Sequence, residues 1–415
     1  MAKAGNGKEG PMPKNFQVID VGTSKICSII AEIDEAGMMA VSGVGVVPSQ
    51  GMQKGVVIDI DAVQRSIQEA VRMAQSTSGI VMKSAFVTIT GRHLRSVNNR
   101  GTVGIFRRSR LVSPEDVRKA VAQSTHITIP GDRRLVRIIP RFYILDGHVE
   151  VKDPVGMHGF RLDADTHLVT ASATAIRNLV DCVRGAGLEV ADLIPGAVAA
   201  GEAVLTEEEK EIGALLADIG GGTADIALFK QGGVWHSAAL PIGGYQMTRD
   251  ISIGLGIPFE VAEEAKIRFG NVTPGYEMEG TVNLGDGYAV SGREFIETVS
   301  ARAEEIFKMI FAEIASHEYE IAAPAGLVLT GGTANLPGVD ALAQEISGLP
   351  TRVRLPREVA GPADILYDPA YAASVGLLLW GAKHGAEVWW KAEELKPPGP
   401  VEAMRRWFRR SRVRL

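Results

Sequence analysis

The chain has 415 residues, 46% apolar and 22% charged, with a formal net charge of −5; the length exceeds one ordinary core, so two or more domains of a soluble globular protein are expected. Cys27 and Cys182 stand far apart in no metal or redox spacing, which argues against a disulfide framework and for thiols in a reducing compartment. The start, MAKAGNGKEGPMPKN, lacks the apolar run of a signal peptide, and the charge-free stretch AYAASVGLLLWGA (370–382) is shorter than the ~20 residues a bilayer needs, so a cytoplasmic protein is expected.

Residues 1–14 read as a disordered leader. FQVIDVG, KICSIIAEI and MMAVSGVGVV read as glycine-broken strands, and 58–75 as a helix with Val63, Ile67, Val71 and Ala74 on one face. SAFVTIT (84–90) is a further strand, giving the order β-β-β-α-β. Residues 92–174 change character: a helix from SPEDVRKAVAQ (113–123), with Ser113 as cap and Pro114 in its first turn, is surrounded by strands such as RLVRIIPRFYIL and HLVTASAT. This reads as a small α+β insertion. A helix over 173–187, closed by Gly185 or Gly187, precedes a second series of strands; ISIGLGIPFEVAEEAKIRFG and FIETVSARAEEIFKMIFAEI read as helical, and 324–346 as strand, glycine turn and helix. The alternation argues α/β.

Two segments share one spelling. Asp20-Val-Gly22-Thr23-Ser24 and Asp218-Ile-Gly220-Gly221-Gly222-Thr223 each end an apolar strand in Asp, turn through Gly and Thr, and enter a second apolar strand. Turn amides stripped of side chains can converge on an anion. Asp20 and Asp218 at the strand ends can hold Mg²⁺ through its water shell. The pair suggests a duplicated domain with a nucleotide phosphate clamped between its halves. A third turn, LVLTGGTANLPG (327–338), would let Gly331 and Gly332 approach a flat ligand such as adenine or its ribose. The pattern is neither a Walker A loop nor a dinucleotide fingerprint.

These motifs resemble the phosphate-1, phosphate-2 and adenosine motifs of the actin, Hsp70 and sugar-kinase superfamily. The resemblance implies an actin-like fold, two ribonuclease H-like duplicated domains, with ATP and Mg²⁺ in the cleft. Gly22, Thr23, Ser24 and Lys25 would meet phosphates from one side, Gly220, Gly221, Gly222 and Thr223 from the other, and Gly331, Gly332 and Thr333 the adenosine. AEEAK (262–266) is similar to the helix whose acid and base, here Glu263 and Lys266, approach ribose and base. Within the superfamily, GMQKGVVIDIDAVQRSIQEAV, DPVGMHGFRL, VLTEEEKEIGALLADIGGGTADIALF and PIGGYQMTRDISIGLGI resemble the FtsA family of bacterial division proteins over roughly residues 14–385.

That likeness implies subdomain 1A at 15–91, 175–211 and 374–390, the insertion as subdomain 1C at 92–174, 2A at 212–246 and 318–373, 2B at 247–317, a linker at 391–400 and a membrane-targeting helix at 401–415. It also implies self-association into filaments, contact of 1C with later division proteins, and a seat on 2B, marked by Arg302, for the C-terminal peptide of the tubulin-like FtsZ. One departure is catalytic. Hydrolytic relatives carry Glu or Gln just before the small-residue helix GAVAAGEAVL, where this chain has Leu193-Ile194-Pro195. In-line attack needs a positioned water, so ATP is expected to act mainly as a structural ligand with slow turnover at best.

The last fifteen residues hold six Arg and one Glu, leaving the rest near −10. On a helical wheel Val401, Met404, Trp407, Phe408, Ser411 and Leu415 share one face, while Arg405, Arg406, Arg409, Arg410, Arg412 and Arg414 lie around the rest. That suits a helix in the interface of an anionic bilayer, peripheral to the membrane's cytoplasmic side and, with the family, at the division septum. A nucleic-acid patch fits the arginines but not the Trp-Phe stripe; a docked terminal helix would leave six arginines to satisfy. The Lys-Pro-Pro-Gly-Pro hinge favours a tether. Trp389 and Trp390 read as packing of the last helix, and the eight His as surface or core residues. Two rival functions remain: an actin-like platform of type IV pilus assembly, which would lack the basic tail, and a sugar or metabolite kinase, for which no base is assignable.

Overall fold

The computed structural model describes residues 14–34, 38–285, 287–316 and 323–385. The leader through residue 13, Trp389 and Trp390, the linker and the C-terminal segment with Met404, Arg405, Trp407, Phe408, Arg409 and Leu415 lie outside the described residues.

Strands β1 (Lys14–Val21), β2 (Lys25–Ile33) and β3 (Met39–Pro48) form an antiparallel meander. A two-rung hairpin, β4 (Met52–Gln53) and β5 (Val56–Val57), leads into α1 (Ile60–Ser78), which is capped by the Asp59 side chain and ends at left-handed Gly79. Then β6 (Ser84–Ile89) runs parallel to β1.

The chain next builds a separate four-stranded sheet from β7 (Arg95–Gly104), α2 (Pro114–Ser124), β8 (Arg133–Leu145), β9 (Val149–Val151) and β10 (Arg161–Ser172), in the order β7-β10-β8-β9. The sequence signal at Ser113 is a full capping box: its hydroxyl accepts from the Asp116 amide and its own amide donates to Asp116. This module has its own core, including Ile105, Val112, Ala120, Leu162 and Leu168.

Helix α3 (Ala173–Gly185) returns the chain to β11 (Glu189–Pro195), completing the first sheet as β3-β2-β1-β6-β11. After α4 (Gly196–Val204) and α5 (Glu207–Ile212), the second lobe begins with β12 (Ala214–Ile219), β13 (Ala224–Lys230) and β14 (Gly233–Leu240). Helices α6 (Gly244–Leu255) and α7 (Phe259–Phe269), the hairpin β15 (Thr281–Gly285) and β16 (Tyr288–Ser291), and α8 (Gly292–Ala315) follow. Finally β17 (Leu327–Thr330), α9 (Val339–Ser347) and β18 (Thr351–Val353) complete the sheet β14-β13-β12-β17-β18. The two five-stranded sheets have the same order and the same pattern: two antiparallel pairs, then two parallel ones. The duplication expected from the paired hairpins is therefore present in the sheets.

The stretch ISIGLGIPFEVAEEAKIRFG, read as helical, falls on two helices, the end of α6 and α7. Gly256, at φ 65°, is the left-handed cap of α6, its amide donating to the Ser252 carbonyl, and Pro258 starts the next segment. The last described helix, α10 (Ala372–His384), crosses back to the first lobe and packs on α4, β1 and β6. The approach is close: a Cβ on Gly376 would fall on the carbonyl oxygen of Ala199. Among the described residues no helix is long and apolar enough to cross a membrane.

Candidate functional site

The two Gly/Thr turns close alike. The Gly22 amide donates to the Lys25 carbonyl at 3.0 Å and the Gly220 amide to the Thr223 carbonyl at 2.9 Å. They also face one another across the gap between lobes: a Cβ on Gly222 would lie 2.7 Å from Thr23 Oγ1, and one on Gly221 would lie 3.2 Å from Ser24 Cβ. Gly222 is thus glycine because the opposite turn occupies its side-chain space, and Gly331 because a Cβ there would meet the Asp218 carboxylate. These reasons lie nearer than the approach of a ligand expected from the sequence. Of the six glycines in the three turns, Gly220 and Gly332 alone leave their Cβ positions with no neighbour inside 3.4 Å. The amides of Thr23, Ser24, Gly221 and Gly222 make no hydrogen bond to another described group. Four free amides on two facing turns form an anion cradle.

Behind the cradle stand three carboxylates. Asp20 is held at both oxygens, by Thr88 Oγ1 and by Ser374 Oγ, each at 2.7 Å. Asp218 is pushed up to about 8, first by burial and then by the charges of Asp225 and Asp20. Asp225 is pushed up to about 6 by burial, against hydrogen bonds from Thr90 and from Thr223 at 3.1 Å. The ammonium facing them, Lys25, donates to the Ala370 carbonyl at 2.5 Å and lies 4.5 Å over the Tyr371 ring. Burial raises the neighbouring Cys27 thiol to about 12, so it remains protonated. Asp225 is buried and Asp20 and Asp218 partly so, and three carboxylates beside one lysine leave the site with excess negative charge. Among the described residues no three acidic, His or Cys side chains have the geometry to hold a metal ion directly.

The cleft continues into a pocket lined by Tyr245, Met247, Glu263, Lys266, Thr333 and Leu336; Ser24, Gly221 and Gly332 line both parts. Lys266 Nζ pairs with Glu263 at 2.7 Å and donates to Thr248 Oγ1 at 2.9 Å, while burial lowers its pKa. Thr333 Oγ1 donates to the Gly220 carbonyl at 3.1 Å, tying the third turn to the second.

The structure therefore brings Gly22, Thr23, Ser24, Lys25, Gly220, Gly221, Gly222, Thr223, Gly331, Gly332, Thr333, Glu263 and Lys266 to one cleft with Asp20 and Asp218. Arg302 lies apart on α8, where its Nε donates to Asp250 on α6 at 2.5 Å and its Nη1 to Glu305. The sequence reading missed Asp225, Thr88, Thr90 and Ser374. Leu193 and Ile194 supply no polar group before α4, but Asp225 reaches its first residue: a Cβ on Gly196 would lie 3.7 Å from Asp225 Oδ2.

A family model described as cell division protein FtsA matches residues 215–376, and one described as the SHS2 domain inserted in FTSA matches 91–170. The chain is 38% identical to cell division protein FtsA of Pseudomonas aeruginosa over 403 residues, covering 94% of this chain and 96% of that one. The chain belongs to the FtsA family. It is 36% identical to the FtsA of Borreliella burgdorferi, over 89% of this chain and 91% of that one, and 31% identical to that of Escherichia coli K12, over 88% and 89%. Among solved structures it is similar to the PilM-PilN type IV pilus biogenesis complex, with TM-score 0.64 and 17% identity over 89% of this chain and 98% of that one. It is also similar to MreB5 of Spiroplasma citri bound to ADP, with TM-score 0.52 and 14% identity over 89% and 97%. Those likenesses show the actin-like fold. Membership of FtsA over nearly the whole chain sets the pilus and kinase alternatives aside: this is an actin-like protein of cell division.

Proposed function

We propose that the chain binds Mg²⁺–ATP between its lobes, assembles into filaments on the cytoplasmic face of the cell membrane, and tethers the FtsZ ring there during division. The observation that carries the nucleotide part is the cradle of four free amides above Asp20, Asp218 and Asp225. Bound Mg²⁺–ATP would supply the cation those carboxylates lack and the polyphosphate the amides and Lys25 can bind. Asp20, fixed by Thr88 and Ser374, and Asp218 would hold the hydrated metal; Glu263 and Lys266 would border the ribose and base. Turnover would be slow, because Leu193, Ile194 and Pro195 offer no polar side chain before α4 to orient water; Asp225, near Gly196, is the group best disposed to do so.

Tethering rests on the Arg-rich amphipathic tail and its Pro-rich hinge. One such helix detaches readily, whereas a filament carrying many gains avidity without new contacts. Later division proteins are assigned to the inserted subdomain and the FtsZ peptide to the α6–α8 face around Arg302, at the septum. The test is co-flotation of FtsZ with anionic liposomes by the full chain with Mg²⁺–ATP. FtsZ should float with the full chain and stay behind with a chain ending at residue 400; equal flotation by both would overturn the tether.

A further inference from the structure

We propose that the inserted subdomain braces the two lobes, so that a ligand setting their spacing at the cleft also sets the seat of the inserted subdomain, and the reverse. The inference rests on reading the cleft as a nucleotide site.

The insertion belongs to the first lobe by chain, yet its sheet is fastened to β14, the edge strand of the second. Ser96 Oγ donates to the Ser237 carbonyl at 2.8 Å, and Asn98 Nδ2 to the Trp235 carbonyl at 2.9 Å. The buried imidazole of His167 sits between Asn98 Oδ1 and Ser237 Oγ, both at 2.8 Å. Because the Asn98 amide nitrogen is engaged by Trp235, its oxygen faces His167. His167 Nδ1 therefore donates, and Nε2 accepts from the Ser237 hydroxyl. The Arg141 guanidinium adds a stack on the Trp235 ring at 3.8 Å. On the other side, buried Arg137 pairs with Asp192 on β11 and lies 5.0 Å from the Trp380 ring of α10. Directional bonds of this kind, buried at His167–Ser237 and Arg137–Asp192 and part-buried at Ser96 and Asn98, have few alternative registers, so the seat can shift between discrete arrangements but cannot slide freely.

The same pair of strands carries both sites. Asp225 of the cleft faces Ala239 across β13 and β14, and Ser237 of the seat faces Ala227 two residues further along. That is about 7 Å along one strand. A lobe movement that changes the spacing of the two turns must therefore be met at His167, Ser96 and Asn98.

Backbone hydrogen–deuterium exchange of the full chain, with and without Mg²⁺–ATP, tests this without any substitution. The brace predicts protection of the cleft turn 218–225 together with a change of about fivefold or more in exchange at 95–99 and 234–238. Protection of the cleft with unchanged exchange at the seat would overturn the brace and leave the nucleotide reading standing. No protection at the cleft would overturn the nucleotide reading, and the brace with it. By reciprocity, His167→Phe and Asn98→Ala, shown folded by circular dichroism, should each shift ATP affinity about fivefold; unchanged affinity in a folded variant would count against the brace.

Discussion

Asp218 faces Asp225 across β12 and β13 on the rung where, in the first lobe, Asp20 faces Cys27. The duplicated sheets thus put two carboxylates on one side of the cleft and one on the other; burial first, and then the charge of Asp225 on the facing rung, make Asp218 the most strongly shifted acid of the site.

Replacing Asp218 with Asn should separate stability from binding. Removing a carboxylate pressed by Asp225 and Asp20 should raise the melting temperature of the ligand-free protein by about 2 °C or more. The same change should weaken Mg²⁺–ATP at least about tenfold, near 1.4 kcal/mol, by titration calorimetry. A variant that binds Mg²⁺–ATP as the parent does would remove Asp218 from the metal site.

The α4–α10 contact tolerates no side chain at Gly376. Gly376→Ala should cost about 3 kcal/mol in denaturant unfolding, the upper range for overpacking, because the obstacle is the Ala199 backbone. Gly131, with open space around its Cβ position and ordinary φ, serves as the control, and Gly131→Ala should be neutral or slightly stabilising.

Acidification should loosen the seat of the inserted subdomain. His167 is lowered to about 3, first by burial and then by His236 and Arg141. Its unfolded form titrates near 6.5, so between those values the unfolded chain binds more protons and stability falls as pH falls. From pH 6.5 to 5 that amounts to about 1.6 kcal/mol. His167→Gln should flatten the slope of stability against pH in this window; an unchanged slope would reject the assignment.

Much of the cleft was legible in the sequence. Strand–Asp–Gly–Thr–strand is a local signal, and both copies carry it within a few residues. Asp225 was equally visible, seven residues beyond Asp218, but its place beside α4 follows only from strand register. Thr88 and Ser374 reach Asp20 from β6 and α10, through pairing and helix packing that periodicity does not encode. His167 reads as a generic core histidine until β14 is known to lie against it. The Gly256 break is legible as Gly-Ile-Pro, which ends one helix and begins another, while the apolar spacing that continues across it masks the boundary.

The tail should act through charge as well as apolar area. Arg405→Ala with Arg409→Ala should weaken binding to anionic vesicles by about 1 kcal/mol per residue, with less effect at high salt. Trp407→Ala with Phe408→Ala should weaken it at any salt concentration. A tail whose binding ignores the arginines would not be an interfacial helix.

The most direct test of the division role is fluorescence anisotropy of a labelled FtsZ C-terminal peptide titrated with the full chain, with Arg302→Glu alongside. Arg302 joins α8 to α6 through Asp250, and burial is partial, so the variant should remain folded. The account predicts saturable micromolar binding by the parent chain and at least a tenfold loss in the variant. No binding by a folded, ATP-competent parent would contradict it.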